Sequence, residues 1–287
     1  MNESKTIILY HGSCPDGFGG AYAAWKKFGD SAEYIGLSRG EEPPYEACSG
    51  AKLYFVDFCY PKEQMDRFIE IAESVTMLDH HEGMKDVIES LPEFVYDTNR
   101  SGATIAWNYF HPEIAVPTLL KHVEDDDLFL FKLADTRAVI TYLEVRPFTF
   151  LEWDKVAMKL DDPKESEKMF ERTRIYAEYF ELLAEVAVEK ANLVSFEGYE
   201  IYFGNAHPIK SLKSLVGNLL AKKKGPFSLT VSAHPNGYGV SIRGDGTVDV
   251  SKIAQKYGGN GHPNSSGFLI PREGPFPWTL IEEESMT

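Results

Sequence analysis

The sequence predicts an α/β protein with an N-terminal parallel-sheet domain, a helical linker and a smaller C-terminal α/β domain. Three observations carry this. The first hundred residues alternate short apolar runs with amphipathic stretches, an order that gives parallel strands joined by right-handed crossovers. From Arg146 to about Lys190 the chain is charged and helical, and between Glu165 and Asn192 the residues Met169, Phe170, Tyr176, Phe180, Leu183, Val186 and Val188 form a stripe at broadly helical spacing. Strand-like runs return after Gly198, and Asn236-Gly237 is a strong hairpin signal. The domains expected are residues 1–150 and 196–287, with 151–195 as the linker.

Taken in order, Thr6 to Tyr10 reads as a central parallel strand, apolar almost throughout. A glycine-rich turn follows, His11-Gly12-Ser13-Cys14-Pro15-Asp16-Gly17-Phe18-Gly19-Gly20, and then a helix to Phe28. Strand, glycine-rich turn and helix together make an anion-binding helix N-terminus, here with His11 and Asp16 inside the turn. Lys52 to Val56 is a second buried strand, ending at Asp57. Pro61 opens a helix, Lys62 to Glu73, with Met65, Phe68, Ile69 and Ala72 on one side. The run Val75 to Leu78 then ends in Asp79-His80-His81-Glu82-Gly83. Ligands of open α/β sheets bind at the carboxyl ends of the strands, so His11, Asp57, Asp79 and His80 are expected along one edge.

Phe94 to Asp97 is a short strand, and Ser101 is the expected N-cap of a helix running to Phe110. Arg100 beside it either reaches a phosphate or is an ordinary surface arginine. The helix from Val116 ends in Glu124-Asp125-Asp126-Asp127, and Asp125 is the member expected to point inward. In the second domain Tyr199–Asn205, Phe227–Ala233 and Gly239–Arg243 read as strands, with helices from Leu212 to Lys222 and from Val250 to Tyr257. Gly258 to Phe268 reads as a glycine-rich loop whose backbone donors suit an anion or a sugar edge.

Composition narrows the class. The 287 residues are 43% hydrophobic and 25% charged, normal for a soluble globular chain. There is no membrane-length apolar run and the N-terminus lacks a signal-peptide layout, so a cytoplasmic protein without a membrane partner is expected. A net charge of −15 argues against binding long duplex nucleic acid, yet leaves room for a short anionic substrate, because divalent cations held by carboxylates reverse the field locally. Cys14, Cys48 and Cys59 are too few and too scattered for a disulfide framework. Cys14 lies beside the expected site, where packing is preferred to a ligating thiol.

His11…Asp16-Gly17, Asp57 after Tyr54-Phe55-Val56, Asp79-His80-His81, Asp125 after Val123-Glu124, and the run Gly258 to Gly267 are five ordered motifs. Together they resemble the DHH phosphoesterase superfamily, in its DHH–DHHA1 subgroup. The resemblance implies a pair of Mn2+ ions, with Mg2+ or Co2+ as substitutes. It assigns His11 and Asp16 to the first ion, Asp57 to a bridge, and His80 and Asp125 to the second ion. Asp79 would support the cluster and His81 would face the scissile phosphate as the catalytic pair. Arg243, Gly259, Gly261 and His262 would hold the distal part of a nucleotide.

The implied activity is hydrolysis of short oligonucleotides, linear dinucleotides or 3′-phosphoadenosine 5′-phosphate by a metal-activated water. The alternatives are an exopolyphosphatase or pyrophosphatase, or a weakly active nucleotide-binding regulator. A homodimer is implied by analogy alone. One departure stands out. Many relatives carry His-x-x-x-Asp-x-Asp, whereas here Asp16 is one residue further from His11 and the second aspartate position is Phe18.

Overall fold

The computed structural model describes residues 5–12, 14–38, 40–205 and 209–281; Ser13 of the first turn and the N-terminal residues 1–4 lie outside them. The chain divides into two compact units, Met1–Arg174 and Ile175–Thr287. The boundary falls within one long helix, Pro163–Glu189.

The first unit contains β1 (Thr6–His11), α1 (Pro15–Phe28), β2 (Ala32–Leu37), α2 (Tyr45–Cys48), β3 (Lys52–Val56), α3 (Lys62–Ile71), β4 (Ser74–Asp79), α4 (Lys85–Ile88), β5 (Glu93–Tyr96), α5 (Gly102–Phe110), α6 (Thr118–Asp127), α7 (Thr136–Glu144), α8 (Phe150–Asp161) and the start of α9 (Pro163–Glu189). The sheet runs β2-β1-β3-β4-β5, every pair parallel. The chain starts at β1, adds β2 on one side and the remaining strands on the other. A crevice therefore opens between the carboxyl ends of β1 and β3, the usual place for a ligand in such sheets. Register makes this quantitative: Tyr10 lies beside Val56, and Val56 beside Leu78, so His11, Asp57 and Asp79 follow in one row.

Both faces of the sheet are covered, which is why its central strands are apolar throughout. On one face α3 contributes Met65 and Phe68 to a core with Leu53, Phe55 and Met77. On the other, α1 and α5 pack closely through small residues. A Cβ on Gly20 would lie 2.2 Å from Val56 Cγ1, so that helix position admits only glycine. The edge strand β2 was not expected from its sequence, in which polar Glu33 and small Gly36 interrupt the apolar run. Helix α7 was not expected either.

Phe18 is a core residue. Its ring packs 5.0 Å from those of Phe150 and Trp153 and 5.3 Å from that of Phe148 (centroid distances), tying α1 to α8.

The second unit holds the end of α9, β6 (Asn192–Phe196), β7 (Tyr199–Asn205), α10 (Lys210–Lys223), β8 (Phe227–His234), β9 (Gly237–Gly244), α11 (Val250–Lys256), β10 (Asn260–His262), β11 (Ser265–Pro271) and β12 (Thr279–Leu280). Its sheet runs β10-β11-β9-β8-β7-β6-β12, antiparallel except for the β7–β8 pair, which α10 connects. The β8–β9 hairpin turns at Asn236-Gly237 as expected. The run from Gly258 is not a loop but a second hairpin, with Asn260 paired to Gly267 and His262 to Ser265. Among the described residues no helix is long and apolar enough to cross a membrane.

Phe18→Ala is expected to remove about 3–5 kcal/mol of stability by opening a cavity among three aromatic rings. The thermal midpoint measures this; an unchanged midpoint would show that Phe18 is not a packing residue.

Candidate metal centre

Each strand end presents its polar group for a local reason. After β1, Cys14 caps α1 and its sulfur accepts the Gly17 N–H at 3.4 Å. Asp16, in the first turn of α1, is buried and received by the first amides of α5: Gly102 N–H donates to Oδ2 at 2.7 Å and Ala103 N–H to Oδ1 at 3.0 Å. Gly102 has no alternative. A Cβ there would stand 2.7 Å from Asp57 Cβ and 3.0 Å from Asp16 Oδ2.

At the end of β3 the backbone of Asp57 turns left-handed, with φ of 55°, and its N–H donates to Leu78 O at 3.0 Å. Aspartate tolerates this conformation better than most residues, at a cost on the order of 1 kcal/mol. At the end of β4, Asp79 Oδ1 accepts the His80 N–H at 2.6 Å, the His81 N–H at 3.1 Å and His81 Nδ1 at 2.8 Å. That single oxygen pins both histidines.

The side chains converge on Asp57. Its Oδ2 lies 3.5 Å from His11 Nδ1 and 3.4 Å from Cys14 Sγ. Its Oδ1 lies 3.3 Å from His80 Nε2 and 3.6 Å from His81 Nδ1. His80 Nε2 is also 3.6 Å from Asp16 Oδ2 and 3.5 Å from Asp127 Oδ2. Three donor groups result within the first unit: His11, Cys14 and Asp57; Asp16, His80 and Asp127; and Asp57 with Asp79, His80 and His81.

The residues fit divalent ions. An ion with ligands at about 2.1 Å separates neighbouring donors by roughly 3.0–3.4 Å, close to the spacings around His80 Nε2. Buried carboxylates facing one another also need a cation between them. Asp79 Oδ2 is buried and has no hydrogen-bond partner.

The electrostatics agree. Burial alone would raise the Asp57 carboxyl, but His11, His80 and His81 outweigh it and hold the group well below the usual carboxylate range. Asp16 is pushed the other way, up to about 8, by burial and by the charges of Asp57 and Asp127, against the pull of His80 and the Ala103 amide. Burial disfavours the His80 imidazolium, yet Asp57, Asp127 and Asp16 raise it to about 10. His81 is likewise raised; burial opposes the shift and Asp79 drives it. Without metal, protons on Asp16 and His80 supply the missing positive charge.

Several expected residues change place. Asp125 is buried, but not in this cluster. Its Oδ1 accepts Lys132 N–H at 2.8 Å, and its Oδ2 accepts Leu133 N–H at 3.1 Å and the Thr136 hydroxyl at 2.5 Å, so it shapes the 128–136 turn. His122 Nδ1, 2.9 Å from the same hydroxyl, completes that network. Asp127, not Asp125, lies beside His80, because residues two apart on a helix point about 200° apart and only one can face the crevice. The signal was present: Leu120, Val123 and Asp127 share one helix face, whereas Asp125 sits with His122.

Asp16 groups with His80 rather than with His11, while Cys14, read as packing, stands with His11 and Asp57. Arg100 is an exposed surface arginine paired with Glu124 at 3.0 Å.

In the second unit Arg243 is buried, its Nη1 donating to Ile242 O at 3.0 Å and its Nη2 to Ser214 Oγ at 2.8 Å. Gly259 and Gly261 serve the hairpin: a Cβ on either would approach Gly267 O at 2.1 Å or Ser265 O at 2.5 Å. The His262 carbonyl accepts the Ser266 hydroxyl at 2.7 Å.

No family model matches the chain. An uncharacterized protein of Acanthamoeba polyphaga mimivirus is 26% identical over 310 residues, spanning 98% of this chain and 71% of the viral protein. Solved structures share the fold at low identity. A DHH domain described as belonging to a family of ribosomal proteins superposes with a TM-score of 0.62 at 13% identity, covering 93% of this chain and 83% of that one. An exopolyphosphatase-related protein from Bacteroides fragilis gives 0.55 at 13% identity, covering 96% and 88%. RecJ from Thermus thermophilus, in complex with Mn2+, gives 0.54 at 14% identity, covering 93% of this chain and 50% of RecJ. The fold is therefore that of DHH-domain proteins.

Asp127→Asn is expected to weaken Mn2+ binding by about 10- to 100-fold in calorimetric titration, with little change in the thermal midpoint of chelated protein. Asp125→Ala should instead lose about 2–4 kcal/mol of stability, because it strands two amides and a hydroxyl. The reverse pattern would exchange their roles.

Protonation gives a second test. The folded state holds more protons than the unfolded chain at Asp16 between the ordinary carboxylate range and about 8, and at His80 between 6.5 and about 10. Both groups make stability fall as pH rises through those windows. In chelator the thermal midpoint should decline from pH 6.5 towards 10, and Mn2+, by displacing those protons, should flatten the decline. A flat or rising profile in chelator would contradict the assignment.

Proposed function

We propose that this chain is a metal-dependent phosphoesterase of the DHH type that hydrolyses small phosphorylated nucleotides or short oligonucleotides. The observation that carries the proposal is the division of one carboxylate: Asp57 turns Oδ2 towards His11 and Oδ1 towards His80. A carboxylate shared in this way suits a pair of divalent ions. Such ions, when bound, supply Lewis-acid activation of a water and neutralise charge on the phosphate. The Mn2+ bound by RecJ, which shares the fold, favours the same choice of ion.

The chain's own residues divide the remaining work. His11 and Asp57 would hold one ion, and Asp16, His80 and Asp127 the other, with Asp57 within reach of both. Asp79 is a positioning residue. It fixes the His81 ring by taking Nδ1, so that Nε2 is the atom directed to substrate. With its raised affinity for protons, His81 donates either a hydrogen bond to a phosphoryl oxygen or a proton to the leaving oxygen. The proposal rests on the first unit. Arg243, Gly259 and Gly261 are engaged within their own unit, which favours a structural reading of that part of the motif. The strongly acidic surface favours a small substrate over a long polyanion.

The test is Mn2+-dependent hydrolysis of pApA (read as AMP), adenosine 3′,5′-bisphosphate (AMP and phosphate) and polyphosphate (phosphate), run side by side. Hydrolysis of a nucleotide is expected. Hydrolysis of polyphosphate alone would make the chain an exopolyphosphatase, and of none, with nucleotide still bound, a regulator. His81→Ala should retain Mn2+ and lose about 100- to 10,000-fold in turnover; loss of metal instead would make His81 a ligand.

A further inference from the structure

We infer that Cys14 is a metal ligand, its sulfur joining His11 and Asp57, so that the two positions of the centre have unequal donor sets. The inference rests on the reading of this cluster as a metal centre. Cys14 is 3% exposed, and its Sγ lies 3.2 Å from His11 Nδ1 and 3.4 Å from Asp57 Oδ2. A cysteine placed only for packing sits among apolar side chains, as Cys48 does in the core of the sheet. Cys14 instead faces an imidazole and a carboxylate. Its place at the N-terminus of α1, with the Gly17 amide directed at the sulfur, stabilises the negative charge a bound thiolate carries.

The local sequence gives the reason for a thiol here. Phe18 is committed to the aromatic core and Asp16 to the amides of α5 and the His80 side. Neither completes the position at His11, and Cys14 is the donor at hand. On binding, the thiol proton leaves to solvent and the sulfur lone pair goes to the ion; nothing is oxidised or reduced. A nitrogen, sulfur and oxygen set selects Zn2+, Fe2+ or Co2+, whereas the two carboxylates and one imidazole of Asp16, Asp127 and His80 suit Mn2+ or Mg2+. The centre is thus built for two different ions.

The experiment titrates the metal-free full chain with Co2+ and follows the near-ultraviolet sulfur-to-cobalt charge-transfer band. The band is expected within the first equivalent, absent from Cys14→Ser and retained in Cys59→Ser. Competition with a chromophoric chelator should show Zn2+ affinity falling on the order of 100-fold in Cys14→Ser, with Mn2+ affinity little changed. Co2+ bound to wild type without the band, or a band that survives in Cys14→Ser, overturns the inference. Should Cys14→Ser not fold, X-ray absorption on Zn2+-loaded wild type decides: a sulfur scatterer at about 2.3 Å supports it, and nitrogen and oxygen alone overturn it. Hydrolysis of the same nucleotides by the same samples separates the two claims. A band without hydrolysis leaves Cys14 a ligand and removes the phosphoesterase; hydrolysis without a band does the reverse.

Discussion

One buried carboxylate with a donor set on each side is the constraint on which the rest depends. Asp57 occupies the row of strand ends between β1 and β4, where its left-handed backbone ends the strand's alternation of faces. From there its two oxygens serve different partners. An extended residue there would stand on one face of the sheet; the left-handed turn departs from that pattern. The strain of that turn, on the order of 1 kcal/mol, is small beside the several kcal/mol needed to bury even one ion without partners.

Around this point the fold spends its strongest local features on holding charge still. The first amides of α5 carry Asp16, and the single oxygen Asp79 Oδ1 carries the two histidines after β4. Gly102 allows α5 to approach so closely that any side chain would collide with both Asp57 and Asp16. Like charges are brought together here, and each shifts the proton affinity of its neighbours. That explains why Asp57 and Asp16, both buried, move in opposite directions. Three imidazoles face Asp57, whereas two carboxylates face Asp16.

Much of this was legible in the sequence. Each central strand is an apolar run ended by a residue able to bind metal, and parallel pairing aligns such ends whatever the loops do. His11, Asp57, Asp79 and His80 could therefore be placed without coordinates. The acidic triplet could not be resolved from its composition, because the choice between Asp125 and Asp127 is made by helix phase, which Leu120 and Val123 set. Cys14 was placed beside the site but read as packing, because a buried cysteine is more often a small core residue than a ligand. The ring of Phe18 finds its partners more than a hundred residues away, in Phe148, Phe150 and Trp153. The glycines after Gly258 resembled a ligand loop, since a tight hairpin and an anion cradle demand the same absence of Cβ.

Anomalous diffraction from crystals soaked in Co2+ addresses the central claim most directly. The account predicts two separate peaks, one on each side of the Asp57 carboxylate, one near His11 and the other between His80 and Asp127. A single peak that leaves Asp57 uncoordinated, or none within reach of its oxygens, would contradict it.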